Sequence, residues 1–157
     1  RNVLITRHRS GHVMANAGID QSNLGGAAGE RVLLLPEDAD ASARWLHHAL
    51  SERFPARFGV IVADSFGRPW RHGVTNVAIG AAGLPSLIDR RGMGDRDGRV
   101  LEVTQVALAD MAASAAGLAM GEGAEGIPAA LIRGMRWSAA DCPAAALVRA
   151  VEQDLFR

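Results

Sequence analysis

A chain of 157 residues is long enough for one compact domain with a real core, or for one large piece of a bigger protein. Its 17 basic residues balance its 17 acidic ones, so no net field draws it to nucleic acid or to a membrane surface. Nearly half of the residues are apolar, aromatics are few and alanine is abundant, which excludes a disordered chain and suits a tightly packed α/β-type domain. Every basic residue is arginine, which a GC-rich genome explains more simply than a need for bidentate anion binding. The lone Cys142 has no internal disulfide partner, pointing to a reducing cytoplasm. No apolar run approaches the length of a membrane span. The chain opens at Arg1 directly before the strand-like "NVLIT", without an initiator Met or a signal-peptide pattern, and this predicts a further N-terminal part.

In chain order, "NVLITRH" (2–8) and "GHVMANAG" (11–18) read as a strand pair joined by Arg9-Ser10-Gly11. A Gly-rich polar loop follows (19–30), then the continuous apolar strand "RVLLLP" (31–36). From Asp38 to Phe54 the apolar positions Ala43, Leu46, Ala49, Leu50 and Phe54 keep helical spacing, with Asp38 or Asp40 as N-cap. "RFGVIVA" (57–63) reads as a strand buried on both faces that stops at Asp64-Ser65, and "VTNVAIGAAG" (74–83) as another strand. Residues 84–99 are irregular with a turn at "GDRDG", followed by a strand over 100–106 and a helix over 107–121 ended by Gly121. "IPAALIRGM" (127–135) reads as a strand and "AAALVRAVEQDLF" (144–156) as a helix, with Pro143 in its first turn. Strands outnumber helices and some neighbours are hairpin-like, so the expected fold class is α+β, a mixed β-sheet with flanking helices.

Three acidic places share one pattern, carboxylate or hydroxyl groups in a Gly-containing loop beside a strand or helix end. They are Asp20 with Asn23, Asp64-Ser65, and Glu122 in "MGEGAEGIP". Oxygen ligands of this kind suit Mg²⁺ or Mn²⁺ bridging to phosphate, and converging carboxylates need such ions to relieve their repulsion. The plain alternative is that Asp20 caps a turn, Asp64 satisfies loop amides and Glu122 is a solvated charge; spacing leaves both readings open. "GEGAEG" (121–126) follows a helix instead of leading into one and carries two glutamates, so it serves phosphate only through a metal and is otherwise a connector. Arg68 and Arg71 flank Pro69-Trp70 and suit phosphate or carboxylate contacts, or stacking on Trp70. The five histidines have no partner at metal-ligand spacing and read as structural; nucleophile-elbow, Walker A and zinc patterns are absent from the sequence.

Four ordered segments, "GHVMANAGIDQSN", "VIVADSFGRPWRHGVTNVAIGAAG", "DRDGRVLEVTQVALADMAASAAGLAMG" and "EGIPAALIRGM", resemble the glutamate ligases that extend the deazaflavin coenzyme F420. The resemblance implies a GTP-dependent amide ligase that adds L-glutamate to the coenzyme precursor through an acyl phosphate, releasing GDP and phosphate. It implies two divalent ions, Mg²⁺ or Mn²⁺, with a monovalent cation as an optional third. By the same resemblance Asp20, Asp64, Ser65 and Glu122 are metal ligands. Asn23 and the segment Met120, Gly121, Glu122, Gly123, Ala124, Glu125, Gly126 and Ile127 contact the nucleotide. It further implies a cytoplasmic, intertwined homodimer with a ligase-type α+β fold, without nucleic-acid or membrane partners. Residues 1–157 would then be roughly the C-terminal two thirds of the family unit. Val74 and Asn76 stand where better-known members of this family carry Gln and Asp, which keeps in view a diverged amide ligase with another acceptor or amino acid, and the expected further N-terminal part keeps in view a non-catalytic remnant that binds nucleotide or flavin.

Overall fold

The computed structural model describes residues 3–25 and 31–154. The stretch 26–30 of the Gly-rich loop, Asn2 of the first expected strand, and residues 155 and 156 of the expected C-terminal helix lie outside them. The first expected strand pair is present but shorter. β1 (Ile5–Arg7) runs antiparallel to β2 (Val13–Ala15), with Thr6 opposite Met14. Gly11 turns the chain between them at φ 89°, a conformation that suits a residue without Cβ. A single 3-10 turn over Asn16–Gly18 then leads into the Asp20 loop.

Helix α1 spans Ala39–Ser51. Asp38 caps it by accepting the Ala41 amide at 2.7 Å, which satisfies one of the N–H groups that a helix start leaves free. Next comes the main structural unit, a long hairpin of β3 (Val60–Arg68) and β4 (Arg71–Ala82) with Asp64 opposite Val77 and Ser65 opposite Asn76. Here the structure corrects the sequence reading twice. β3 does not stop at Asp64-Ser65 but continues through them to Arg68, and it is half-buried where burial on both faces was expected. Two short strands, β5 (Leu87–Asp89) and β6 (Gln105–Ala107), pair antiparallel. Between them Asp95 accepts the Asp97 and Arg99 amides at 2.9 and 2.8 Å and closes the predicted "GDRDG" turn. Helix α2 (Leu108–Met120) ends at Gly121, φ 76°, as its sequence predicts.

Four further expectations fail or fall short. Residues 31–36 make only one isolated bridge, Leu33 to Asp20, and leave Val32, Leu33 and Leu34 exposed. Residues 127–135 form no strand, and the strand expected over 100–106 shrinks to its last residues. The C-terminal segment forms two 3-10 turns, Ala144–Leu147 and Val151–Gln153, instead of a helix. Val148 turns extended after the first of them, and its side chain packs over Gly11. The α+β class holds; among the described residues the single mixed sheet is replaced by three two-stranded antiparallel pairs, with one isolated parallel bridge, Pro85 to Cys142.

The core that joins these pieces is built mostly from small side chains: Ala78, Ala81, Leu84, Ala109 and Ala144. Each alanine methyl contributes only about 0.8 kcal/mol on burial. Charged hydrogen bonds, at roughly 1.5–3 kcal/mol each, therefore weigh as much as several of those contacts. Asp40, near the start of α1, accepts the amides of Ala81 (2.8 Å), Ala144 (2.8 Å) and Ala145 (3.1 Å), pinning α1, β4 and the C-terminal turn together. Asp110 on α2 does the same for the Ala78 amide at 2.9 Å. Gly80 lets the Ala39 carbonyl approach so closely that a Cβ there would overlap it. The chain exposes 11807 Å², against roughly 7,500 Å² expected of a compact monomer of this mass.

Candidate active site

Asp64 sits in the middle of β3, half-buried, and accepts the Ser65 amide at 2.8 Å. Exposure alternates along this strand: Asp64, Phe66 and Arg68 are half-buried, Ser65 and Gly67 exposed. Asp64 and Ser65 therefore project to opposite faces and cannot hold one ion through both side chains. Asp20 occupies the bridge to Leu33 and accepts the Ser22 amide at 2.8 Å, a contact that lowers its carboxyl below the usual range. Glu122 follows Gly121 directly beyond α2, and the side-chain amide of Asn76 donates to its carboxylate. Asn76 in turn packs beneath Gly117 of α2, where a Cβ would stand 2.6 Å from its amide nitrogen.

These positions share one electrostatic field. Burial raises the Asp64 carboxyl above its ordinary value, and the negative charges of Asp20 and Glu122 push the same way. The Ser65 amide and His12 oppose the shift. Asp20 and Glu122, from two other segments, thus each act on Asp64. A second link joins the same segments: the Asn23 side-chain amide donates to the Gly123 carbonyl at 3.1 Å. The loop after Asp20 and the glycine loop after α2, 100 residues apart in sequence, meet there. Glu125 folds back within its own loop, accepting the Gly123 amide at 2.8 Å, which holds its carboxyl low.

The donor set is all oxygen, the chemistry that hard divalent cations prefer, and a cation would relieve the repulsion that raises Asp64. Among the described residues, however, no three His, Cys, Asp or Glu side chains stand close enough to form a finished metal pocket. Asp20, Asp64 and Glu122 lie within electrostatic reach and short of a closed ligand shell. Arg68 turns back on the hairpin, giving a guanidinium N–H to the His72 carbonyl at 2.9 Å. Arg71 opposes it at the exposed end of the same hairpin. The arrangement ties Arg68 to the turn and leaves the glycine loop without an arginine bond among the described residues.

Sequence reasoning missed the α2 residue that anchors β4 at the site. Ser114 of α2 donates to the Asn76 carbonyl at 2.8 Å and lies 3.0 Å from the Thr75 hydroxyl. Nothing in the local pattern of "AASAAG" distinguishes Ser114 from a solvated helix position, because its partners come from another element. His12, read as structural, also approaches the site: its ring meets Phe66 edge-on at 5.5 Å, next but one to Asp64 on β3.

Residues 1–134 match the family model described as F420-0:Gamma-glutamyl ligase, and the chain belongs to that family. It is 48% identical to the coenzyme F420:L-glutamate ligase of Methanopyrus kandleri, over 98% of this chain and 62% of that protein. It is 40% identical to the coenzyme F420:L-glutamate ligase of Methanocaldococcus jannaschii, over 100% of this chain and 61% of that protein. For the protein of the same description from Methanothermobacter thermautotrophicus the identity is 43%, over 98% and 61%. The chain thus spans about three fifths of the length of the curated relatives it matches. No helix among the described residues is long and apolar enough to cross a membrane.

Proposed function

We propose that the chain is the metal-bearing part of a GTP-dependent ligase that joins L-glutamate to the deazaflavin precursor of coenzyme F420. The observation that carries this reading is the meeting of the Asp20 loop with the glycine loop, where Asn23 bonds the Gly123 carbonyl and Asn76 of β4 holds Glu122, in a chain of this ligase family. GTP phosphorylates the terminal carboxylate of the precursor, and the glutamate amine then displaces phosphate from the acyl phosphate. Divalent cations, Mg²⁺ or Mn²⁺, neutralise phosphoryl charge when bound, with Asp20, Asp64, Ser65 and Glu122 as the residues that would hold them. The chain's own residues position the reactants. Asn23 fixes the loop that receives the nucleotide, and Asn76 aims Glu122 from β4. Such chemistry rests on placement and charge stabilisation more than on a protein nucleophile. Within this reading the enzyme is a cytoplasmic homodimer.

The test is product release by the full-length protein. GDP should appear only when glutamate and the coenzyme precursor are both present with Mg²⁺ or Mn²⁺. GDP release that is indifferent to the precursor would count decisively against the reading.

A further inference from the structure

Beside the carboxylate cluster the structure holds a second group of reactive side chains. Ser10 in the β1–β2 turn has its hydroxyl 2.8 Å from His8 Nδ1 and 2.8 Å from His12 Nδ1. The backbone decides which way these bonds run. The Ser10 amide N–H also donates to His8 Nδ1, at 3.2 Å, so that nitrogen is an acceptor and carries no proton. The Ser10 hydroxyl must then donate to His8, which leaves its lone pairs to accept from His12 Nδ1–H. His12 is thereby held in the tautomer whose Nε2 is unprotonated, a base oriented by a third group. Burial and the neighbouring His8 favour the neutral ring, against the attraction of Asp110, Asp40 and Asp64.

The three residues line a cavity of about 270 Å³ with Leu35 as an apolar wall and the exposed carboxylates of Glu37 and Asp38. A neutral base lining a cavity of this size can receive the amine of a small molecule. His12 connects this cavity to the carboxylate cluster through its edge contact with Phe66, which shares the Asp64 face of β3.

We infer that His12 is the proton acceptor for the incoming amino acid's ammonium group, with Ser10 and His8 as the positioning residues that fix its tautomer. The inference rests on the ligase reading. His12 Nε2 takes one proton from the ammonium and frees the nitrogen lone pair. That pair attacks the acyl carbon, the carbon–oxygen bond to phosphate breaks, and its electrons leave on phosphate. The surplus proton on the new amide nitrogen goes to the departing phosphate. The proton held on His12 Nε2 is then given up to water entering the cavity, which restores the starting tautomer with Nδ1–H still donated to Ser10 Oγ.

Hydroxylamine tests this, because its nitrogen is unprotonated at neutral pH and needs no base. In the full-length protein with GTP, Mg²⁺ and precursor, His12→Gln should lower glutamate ligation about 100-fold or more and hydroxamate formation by less than about threefold. Ser10→Ala, a surface change that spares the fold, should lower glutamate ligation about tenfold with the same sparing of hydroxamate. Equal changes with the two nucleophiles in both variants, or no change with either, overturn the assignment. A parent protein that makes neither product overturns the ligase reading itself, and the inference with it.

Discussion

The side-chain amide of Asn76 donates to the Glu122 carboxylate, tying the middle of β4 to the residue just beyond α2. A neutral donor here holds one member of the carboxylate cluster without adding charge. Replacing it with Asp would set two carboxylates against each other next to Asp64. Asn76→Asp should therefore lower the melting temperature in chelator, and Mn²⁺ should recover more stability in the variant than in the parent. Asn76→Ala should cost about 1 kcal/mol in urea denaturation with no added response to metal. An equal Mn²⁺ response in parent and Asn76→Asp would show that the pair does not face a cation.

Asp64→Asn should lower ligase activity about 100-fold or more, measured as GDP release with both substrates. The same change should stabilise the metal-free protein. Asp64 has its folded-state pKa raised by burial and by Asp20 and Glu122. The folded state therefore binds the proton more tightly than the unfolded state, and stability falls as pH rises through the folded pKa. The gain from Asn should be present at neutral pH and vanish below the ordinary aspartate range, in thermal melts with chelator. A parent that gains no stability relative to the variant on acidification would contradict that sign.

Asp40→Ala should destabilise the fold by about 2–4 kcal/mol, since it strands the part-buried amides of Ala81 and Ala144 and frees the exposed amide of Ala145. Urea titration measures the loss, and backbone hydrogen exchange should rise first at those three amides. A loss confined to α1 would show that the C-terminal turn is held by other contacts.

Gly80→Ala should cost about 1–3 kcal/mol, because the added methyl meets the Ala39 carbonyl, a backbone atom that cannot rotate away. Gly67→Ala in β3 is the control: a Cβ there meets nothing within 4 Å. Comparable melting temperatures for the two variants would disprove the close seating of α1 on β4.

The elements readable from sequence are those whose signals are local. Asp38 and helical spacing located α1, Gly121 ended α2, "GDRDG" closed a turn, and the apolar run within residues 74–83 marked β4. The misread elements depend on partners. "RVLLLP" and "IPAALIRGM" have strand composition, yet a strand needs a neighbouring edge to satisfy its amides, and apolar pattern alone cannot supply one. The C-terminal segment has helical composition, and contacts of Val148 with Gly11 and of Ala144 and Ala145 with Asp40 bend it into short turns instead.

For the candidate site the division is the same. Residue chemistry by itself marked Asp20, Asp64 and Glu122 as oxygen donors, because that depends only on side-chain type and loop context. Tertiary structure alone decided that they share a field, that Ser65 faces away from Asp64, and that Asn76 holds Glu122. It also decided that three residues of one turn, His8, Ser10 and His12, form a directed chain of hydrogen bonds. The physical reason is range: capping, periodicity and turn chemistry act over a few neighbours, whereas convergence of charge and the direction of a proton are set by groups the chain brings together only when folded.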